Sequence, residues 1–269
     1  MKRVPSGIKV TVPKCLAYGV YTPDYPVYLS SNMKTGYSLN TSRDECARAR
    51  VRTPLCAEVC YAKFPPIAWY EGTYRRNSIH LRRLASAGAT FDLAVAIAAK
   101  LHARGVYDLR FCGSGELFPE LLDLADALTY VNIVPWGFTR NPFLLERMAK
   151  SWRGFPFTSS RPIFHGSIDR TTPESIVSRL EEATAQLLGR PSLAYLCTEP
   201  GWIGQVEVDQ HPHRHSVRVV FGQHGGGKKT KVWHHLECPA TGGQDIHCHE
   251  CRRCLTLPPL PPQPHRPTW

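Results

Sequence analysis

The sequence predicts an α/β protein built from βαβ units, and three observations lead there. Amphipathic helical patterns alternate with short apolar runs along most of the chain, which is the signature of parallel strands joined by helices. Proline and glycine punctuate the changes between them. The 269 residues, 42% of them hydrophobic, are enough for one packed core with tails.

The elements follow in order. A strand is expected at Tyr37 to Asn40, leading into a polar, cysteine-bearing loop. Pro66 to Ala85 opens on a proline suited to a first helical turn and carries Ile67, Tyr70, Tyr74, Leu81 and Leu84 among arginines, so a helix with a basic face is predicted. Phe91 to Ala103 reads as a buried helix stopped by Gly105, and Val106 to Cys112 as the next strand. Further helices are expected at Pro119 to Leu128, Pro142 to Ser151 and Pro173 to Leu188. Strands are expected at Val131 to Pro135, within Phe155 to Phe164, at Leu193 to Cys197 and at Val217 to Phe221. About six strands in this order fit a complete or partial (β/α) TIM-like barrel with a cysteine-rich C-terminal segment. A doubly wound open sheet would read similarly.

Residues 1–34 form an N-terminal extension, 35–255 the barrel domain, and 256–269 a proline-rich tail expected to be extended. Gly225-Gly226-Gly227-Lys228-Lys229 is expected to be a mobile loop. Neither a secretory signal nor an apolar run of membrane-spanning length is visible, so no membrane and a cytoplasmic location are expected. With 33 Lys plus Arg against 22 Asp plus Glu, the net charge is +11, and a polyanion such as DNA or RNA is a plausible partner.

Ten cysteines in such a chain point to metal rather than to disulfides. Cys238, Cys248, Cys251 and Cys254 are separated by nine, two and two residues, a spacing that lets thiolates wrap one site. Cys46, Cys56 and Cys60 form a second group directly after the first predicted strand, where a parallel barrel gathers functional groups. At least one [4Fe–4S] cluster is expected from these seven. Tetrahedral zinc is the alternative, because His234, His235, His247 and His249 lie close by. Cys112 and Cys197 end apolar runs and are expected to be packed core residues.

Leu55-Cys56-Ala57-Glu58-Val59-Cys60-Tyr61-Ala62-Lys63, Leu109-Arg110-Phe111-Cys112-Gly113-Ser114-Gly115-Glu116, Trp136-Gly137-Phe138-Thr139-Arg140 and the final cysteine run resemble the actinobacteriophage family catalogued as gene product eighty-eight. The resemblance covers about Thr35 to Leu255, departs mildly at Glu116 and Phe138, and implies a phage-encoded iron–sulfur protein in a host cytoplasm. A more distant likeness to radical S-adenosylmethionine barrels rests on the three-cysteine loop and on Ser114, Gly115 and Glu116, which occupy the place of those proteins' cofactor-binding turn. It implies that S-adenosylmethionine could be a cofactor, although the Cys-x3-Cys-x2-Cys spacing of that family is not reproduced. Whether the chain is an enzyme stays open, as does the reading as a zinc-stapled binding protein.

Other residues carry a functional and a structural reading side by side. Arg75, Arg76, Arg82 and Arg83 on one helix, Arg140 beside aromatic residues, and Lys228 and Lys229 in the glycine loop are the candidate nucleic-acid contacts. Each could equally be a solvated or packed cation. Glu116 could orient an amino group or cap the next helix, and Asp169 could serve catalysis or a turn. His211, His213 and His215 suggest metal, but exposed polar histidines in a turn are the plainer reading.

Overall fold

Each apolar run of the later chain becomes a strand, and a helix lies between most neighbouring strands. The computed structural model describes residues 7–12, 25–32, 36–65, 67–152, 161–199, 201–222, 224–225 and 228–229, with the single positions 236, 238, 251 and 254. The strands are β1 (Gly7–Val10), β2 (Val27–Asn32), β3 (Gly36–Leu39), β4 (Asp108–Phe111), β5 (Val134–Thr139), β6 (Ile163–Ile168), β7 (Leu193–Cys197) and β8 (Val217–Gly222). The helices are α1 (Arg43–Arg48), α2 (Pro54–Glu58), α3 (Glu71–Ser86), α4 (Thr90–His102), α5 (Pro119–Tyr130), α6 (Pro142–Trp152), α7 (Glu174–Leu188) and α8 (Gly201–Asp209).

The strands form one eight-stranded sheet in which spatial order equals chain order. β1, β2 and β3 pair antiparallel, and every pairing from β3 to β8 is parallel. Parallel crossovers are right-handed, so a strand order without reversal returns each helix to the same face. A doubly wound sheet reverses at a switch point, and β3 to β8 contain none. Among the described residues β1 and β8 do not pair with each other, and the sheet is not closed.

The helix-covered face holds the core. Leu39, Phe111, Phe164, Leu193, Tyr195 and Val220 alternate along the strands and pack with the leucines of α4, α5, α6 and α7. Full burial of such side chains contributes about 1.5–3 kcal/mol each. Helix and sheet approach closely at Gly166, where a Cβ would come within 2.9 Å of Leu180 Cβ on α7. The other face of the sheet carries Arg110, Trp136, Phe138, His165 and Phe221, by the same alternation. No described helix is long and apolar enough to cross a membrane.

Several elements differ from the sequence-based expectation. The N-terminal extension supplies β1 and β2, which were not predicted because four- and six-residue strands there lack a long alternating run. The predicted helix from Pro66 opens instead as a 3-10 turn, Ile67–Tyr70, before α3. β5 begins three residues late because Val131 serves as the C-cap of α5. The polar cysteine loop contains α1 and α2, and α8 was not anticipated because its apolar residues follow no helical period. The glycine-rich segment predicted as a loop forms a two-residue hairpin, His224–Gly225 with Lys228–Lys229. The proline-rich tail lies outside the described residues.

Candidate functional site

The first cysteine group is carried by two short helices just beyond the C-terminal end of β3. Ser42 caps α1, accepting a hydrogen bond from Asp44 N (3.1 Å) and donating to Glu71 Oε1 (2.7 Å). Cys46 follows in that helix. Arg50 then takes a left-handed backbone conformation (φ 53°) that redirects the chain toward α2. Thr53 caps α2 by accepting from Cys56 N (3.1 Å), with Pro54 in the first helical turn, and so fixes the backbone at the second thiol. Cys60 lies two residues beyond the end of α2. All three cysteines are half-buried.

Two buried carboxylates brace this region from the ends of the neighbouring strands. Glu116, after β4, accepts from Leu117 N (2.8 Å), from the Thr139 hydroxyl at the end of β5 (2.6 Å) and from Arg140 N (3.1 Å). Burial raises its pKa, and these hydrogen bonds oppose the rise. Gly115 makes the turn into it possible: its φ is +85°, and a Cβ there would lie 2.1 Å from Thr41 Oγ1. The Ser114 hydroxyl beside it is buried and has no hydrogen-bond partner among the described residues.

Asp169, after β6, is completely buried. Its carboxylate meets Arg140 Nη1 at 2.8 Å and accepts from the Thr53 hydroxyl (2.5 Å), Thr171 N (2.8 Å) and the Thr171 hydroxyl (2.7 Å). Burial alone would raise its pKa, but the Arg140 guanidinium and the hydrogen bonds outweigh that and hold it below the usual carboxylate range. The bonds to Thr171 are the turn expected of Asp169. The contact to Thr53 is what the sequence concealed, since it links β6 to the cap of the Cys56 helix across 116 positions.

Cys46 lies within electrostatic reach of Cys56 and Cys60. Burial, then the Glu116 carboxylate, then Cys56 and Cys60, push the Cys46 thiol far up, and Arg52 opposes. Burial also raises Cys56, with Arg140 and Arg52 opposing and Cys60 and Asp169 reinforcing. Coordination needs thiolates, and Arg52 and Arg140 are the cations that favour them. By ligand type alone, thiolates are the donors that a thiophilic centre takes. Among the described residues, however, no group of three or more His, Cys, Asp or Glu side chains is drawn together in metal-holding geometry.

Cys112, packed against the core, and buried Cys197 behave as the core residues expected. The second cysteine group is partly described, and Cys248 lies outside the described residues. Cys238 N donates to Val220 O (2.8 Å) while Val220 N donates to Leu236 O (2.9 Å), so this stretch hydrogen-bonds along β8. The Cys254 carbonyl lies 2.9 Å from His165 Nε2. A carbonyl only accepts, so Nε2 carries a proton. Burial, with Arg190 and Arg218, lowers the His165 pKa despite that hydrogen bond, and the neutral ring then accepts from the Ser192 hydroxyl at Nδ1 (2.7 Å). His165 also stacks on Phe138, with ring centroids 5.4 Å apart. It was not singled out in the sequence, where an isolated histidine in an apolar run carries no signal.

The candidate nucleic-acid arginines are distributed unevenly. Arg82 makes two 2.8 Å hydrogen bonds to the buried Glu45 and lies over the Phe118 ring, and Arg75 pairs with Asp44 at 2.9 Å. Arg76 donates to Thr73, and Arg83 lies over Tyr25. Arg140 is buried on Asp169, Thr53 and Thr172. The backbone of Lys228 and Lys229 is in the small hairpin, and their side chains lie outside the described residues. His213 sits between Glu181 (2.7 Å) and Glu174 (2.5 Å), far from a simple exposed turn residue. Compared with models of protein families, with curated proteins and with solved structures, the chain matches none of them.

Proposed function

We propose that this chain is an iron–sulfur protein in which Cys46, Cys56 and Cys60 hold a [4Fe–4S] cluster at the C-terminal edge of a partial (β/α) barrel. The observation that carries the reading is the electrostatic reach of Cys46 to Cys56 and Cys60, three thiols carried on α1, on α2 and just beyond α2 in the connection that follows β3. Arg52 acts on both Cys46 and Cys56, and Arg140 acts on Cys56, which packing alone does not call for. A bound cluster would supply one-electron transfer and, at an iron lacking a protein thiolate, a position for a further ligand. The protein's part is positional: Asp169 and Arg140 hold Thr53, Thr53 holds the Cys56 amide, and Glu116 ties the turn after β4 to that after β5.

Cys238, Cys248, Cys251 and Cys254 form a second donor set in this reading, fastening the C-terminal segment along β8 and over His165. Ligand binding there would contribute directly to folding of a segment with little apolar surface. The +11 charge supports nucleic acid as the partner of the basic surface.

Anaerobically purified protein should be brown, contain iron and acid-labile sulfide, and give a spin-resonance signal on reduction. Colourless protein containing zinc without iron or sulfide would overturn the cluster. An enzyme that binds S-adenosylmethionine at the open iron is a second reading, favoured by the buried Ser114 hydroxyl in the turn before Glu116, which has no hydrogen-bond partner among the described residues. It requires the spin-resonance signal to change on adding the cofactor, and an unchanged signal removes it.

A further inference from the structure

Two large aromatic side chains stand exposed on the segment that follows Cys60. Phe64 is 40% and Trp69 50% exposed. Phe64 directly follows the 3-10 turn Tyr61–Lys63, which starts next to Cys60, and Trp69 lies in the 3-10 turn Ile67–Tyr70. Lys63 N donates to Cys60 O (3.0 Å) and Ala68 N to Phe64 O (3.0 Å), so hydrogen bonds order the segment that presents both rings. Arg48, Arg50, Arg52 and Lys63 are exposed on the same stretch of chain. Arg52 lies close enough to act on both Cys46 and Cys56.

Elsewhere among the described residues, Arg179 lies over the exposed Phe143 but pairs with Glu146. Arg75 and Arg82 on α3 already face carboxylates. Trp202 and Ile203 on α8 are exposed too, but that helix carries Glu207 and Asp209 and no cation. Exposed rings among exposed cations are what unpaired bases on a phosphate backbone recognise: the phosphates meet the cations, and each base lays its π face on a ring. Bases inside a duplex are already stacked and cannot do so.

We infer that the rim formed by Phe64, Trp69, Arg50, Arg52 and Lys63 binds single-stranded nucleic acid across the mouth of the cysteine site. This rests on the nucleic-acid reading proposed above and moves the contact from α3 to the segment flanking the thiols. Binding orients a strand so that an unpaired base lies beside Cys60.

The test is fluorescence anisotropy of the full, anaerobically purified chain with labelled (dT)20, (rU)20 and a 20-base-pair duplex across a salt series. Phe64→Ala/Trp69→Ala should weaken (dT)20 binding by about tenfold or more while leaving duplex binding nearly unchanged, and Trp69→Phe should restore most of the loss. Arg50→Gln/Arg52→Gln should lower the salt slope by about 0.7 for each phosphate contact removed. Because Phe64 and Trp69 are exposed, iron content and circular dichroism of the aromatic variants should match the unsubstituted protein. If the aromatic double variant binds (dT)20 as tightly as the parent, the rim assignment is wrong, although nucleic-acid binding elsewhere survives. If none of the three probes binds at low salt, the nucleic-acid reading fails and takes this inference with it.

Discussion

Glu45 and Asp169 are both buried carboxylates clamped by arginine, yet they organise different parts of the molecule. Glu45 is next to Cys46 in sequence, but its carboxylate meets Arg82 on α3 and Arg48 at 3.6 Å, on the outer flank. Asp169 is distant from every cysteine in sequence, but reaches Cys56 through Thr53. Proximity along the chain does not identify the residues that shape the mouth. Contact across the ends of the strands does.

The comparison is sharpest where one carboxylate is removed. Asp169→Ala leaves Arg140, with only 10% of its side chain exposed, without its ion-pair partner, and should cost about 3–5 kcal/mol in urea unfolding. Glu45→Ala should cost less, about 1–3 kcal/mol, because Arg82 is 31% exposed and can turn to water. Equal losses would break the distinction between mouth and flank. Metal content sharpens it further: Asp169→Asn should lower iron retention, whereas Glu45→Gln should leave it near the parent value.

Thr53→Val removes one cap and the link to Asp169 while keeping the shape. About 1 kcal/mol of stability should be lost, with faster release of iron to a chelator than from the parent. The smallest effect is expected farther away, at His213. Burial disfavours its charge, but Glu174 and Glu181 outweigh that and raise its pKa above 6.5. A raised folded pKa stabilises fully below about pH 6.5 and ceases to do so as pH rises through the folded value. Thermal melts of His213→Gln should therefore trail the parent most at pH 6 and converge with it on the alkaline side.

The parts of the fold legible in the sequence were those with a period of their own. The helices near Pro119, Pro142 and Pro173 and the strands at Leu193 and Val217 show apolar patterns that local chemistry enforces. β1 and β2 depend on register with β3, and no local pattern revealed them. The thiols of Cys46, Cys56 and Cys60 were visible as a group. Their supports were not, because Thr53, Thr139 and Asp169 are single polar residues whose roles arise from partners on other strands. The arginines of α3 showed the opposite failing: their clustering was plain, but the carboxylates opposing Arg75 and Arg82 came from α1.

The most direct measurement is the iron-to-protein ratio, with the reduced spin-resonance spectrum, of anaerobically prepared parent and Cys46→Ser/Cys56→Ser/Cys60→Ser proteins. The parent should contain a cluster, and the variant should lack about four irons per chain together with that cluster's signal while the C-terminal cysteines remain intact. Unchanged iron in the triple variant, or a parent without iron, would contradict the assignment of these three thiols to one centre.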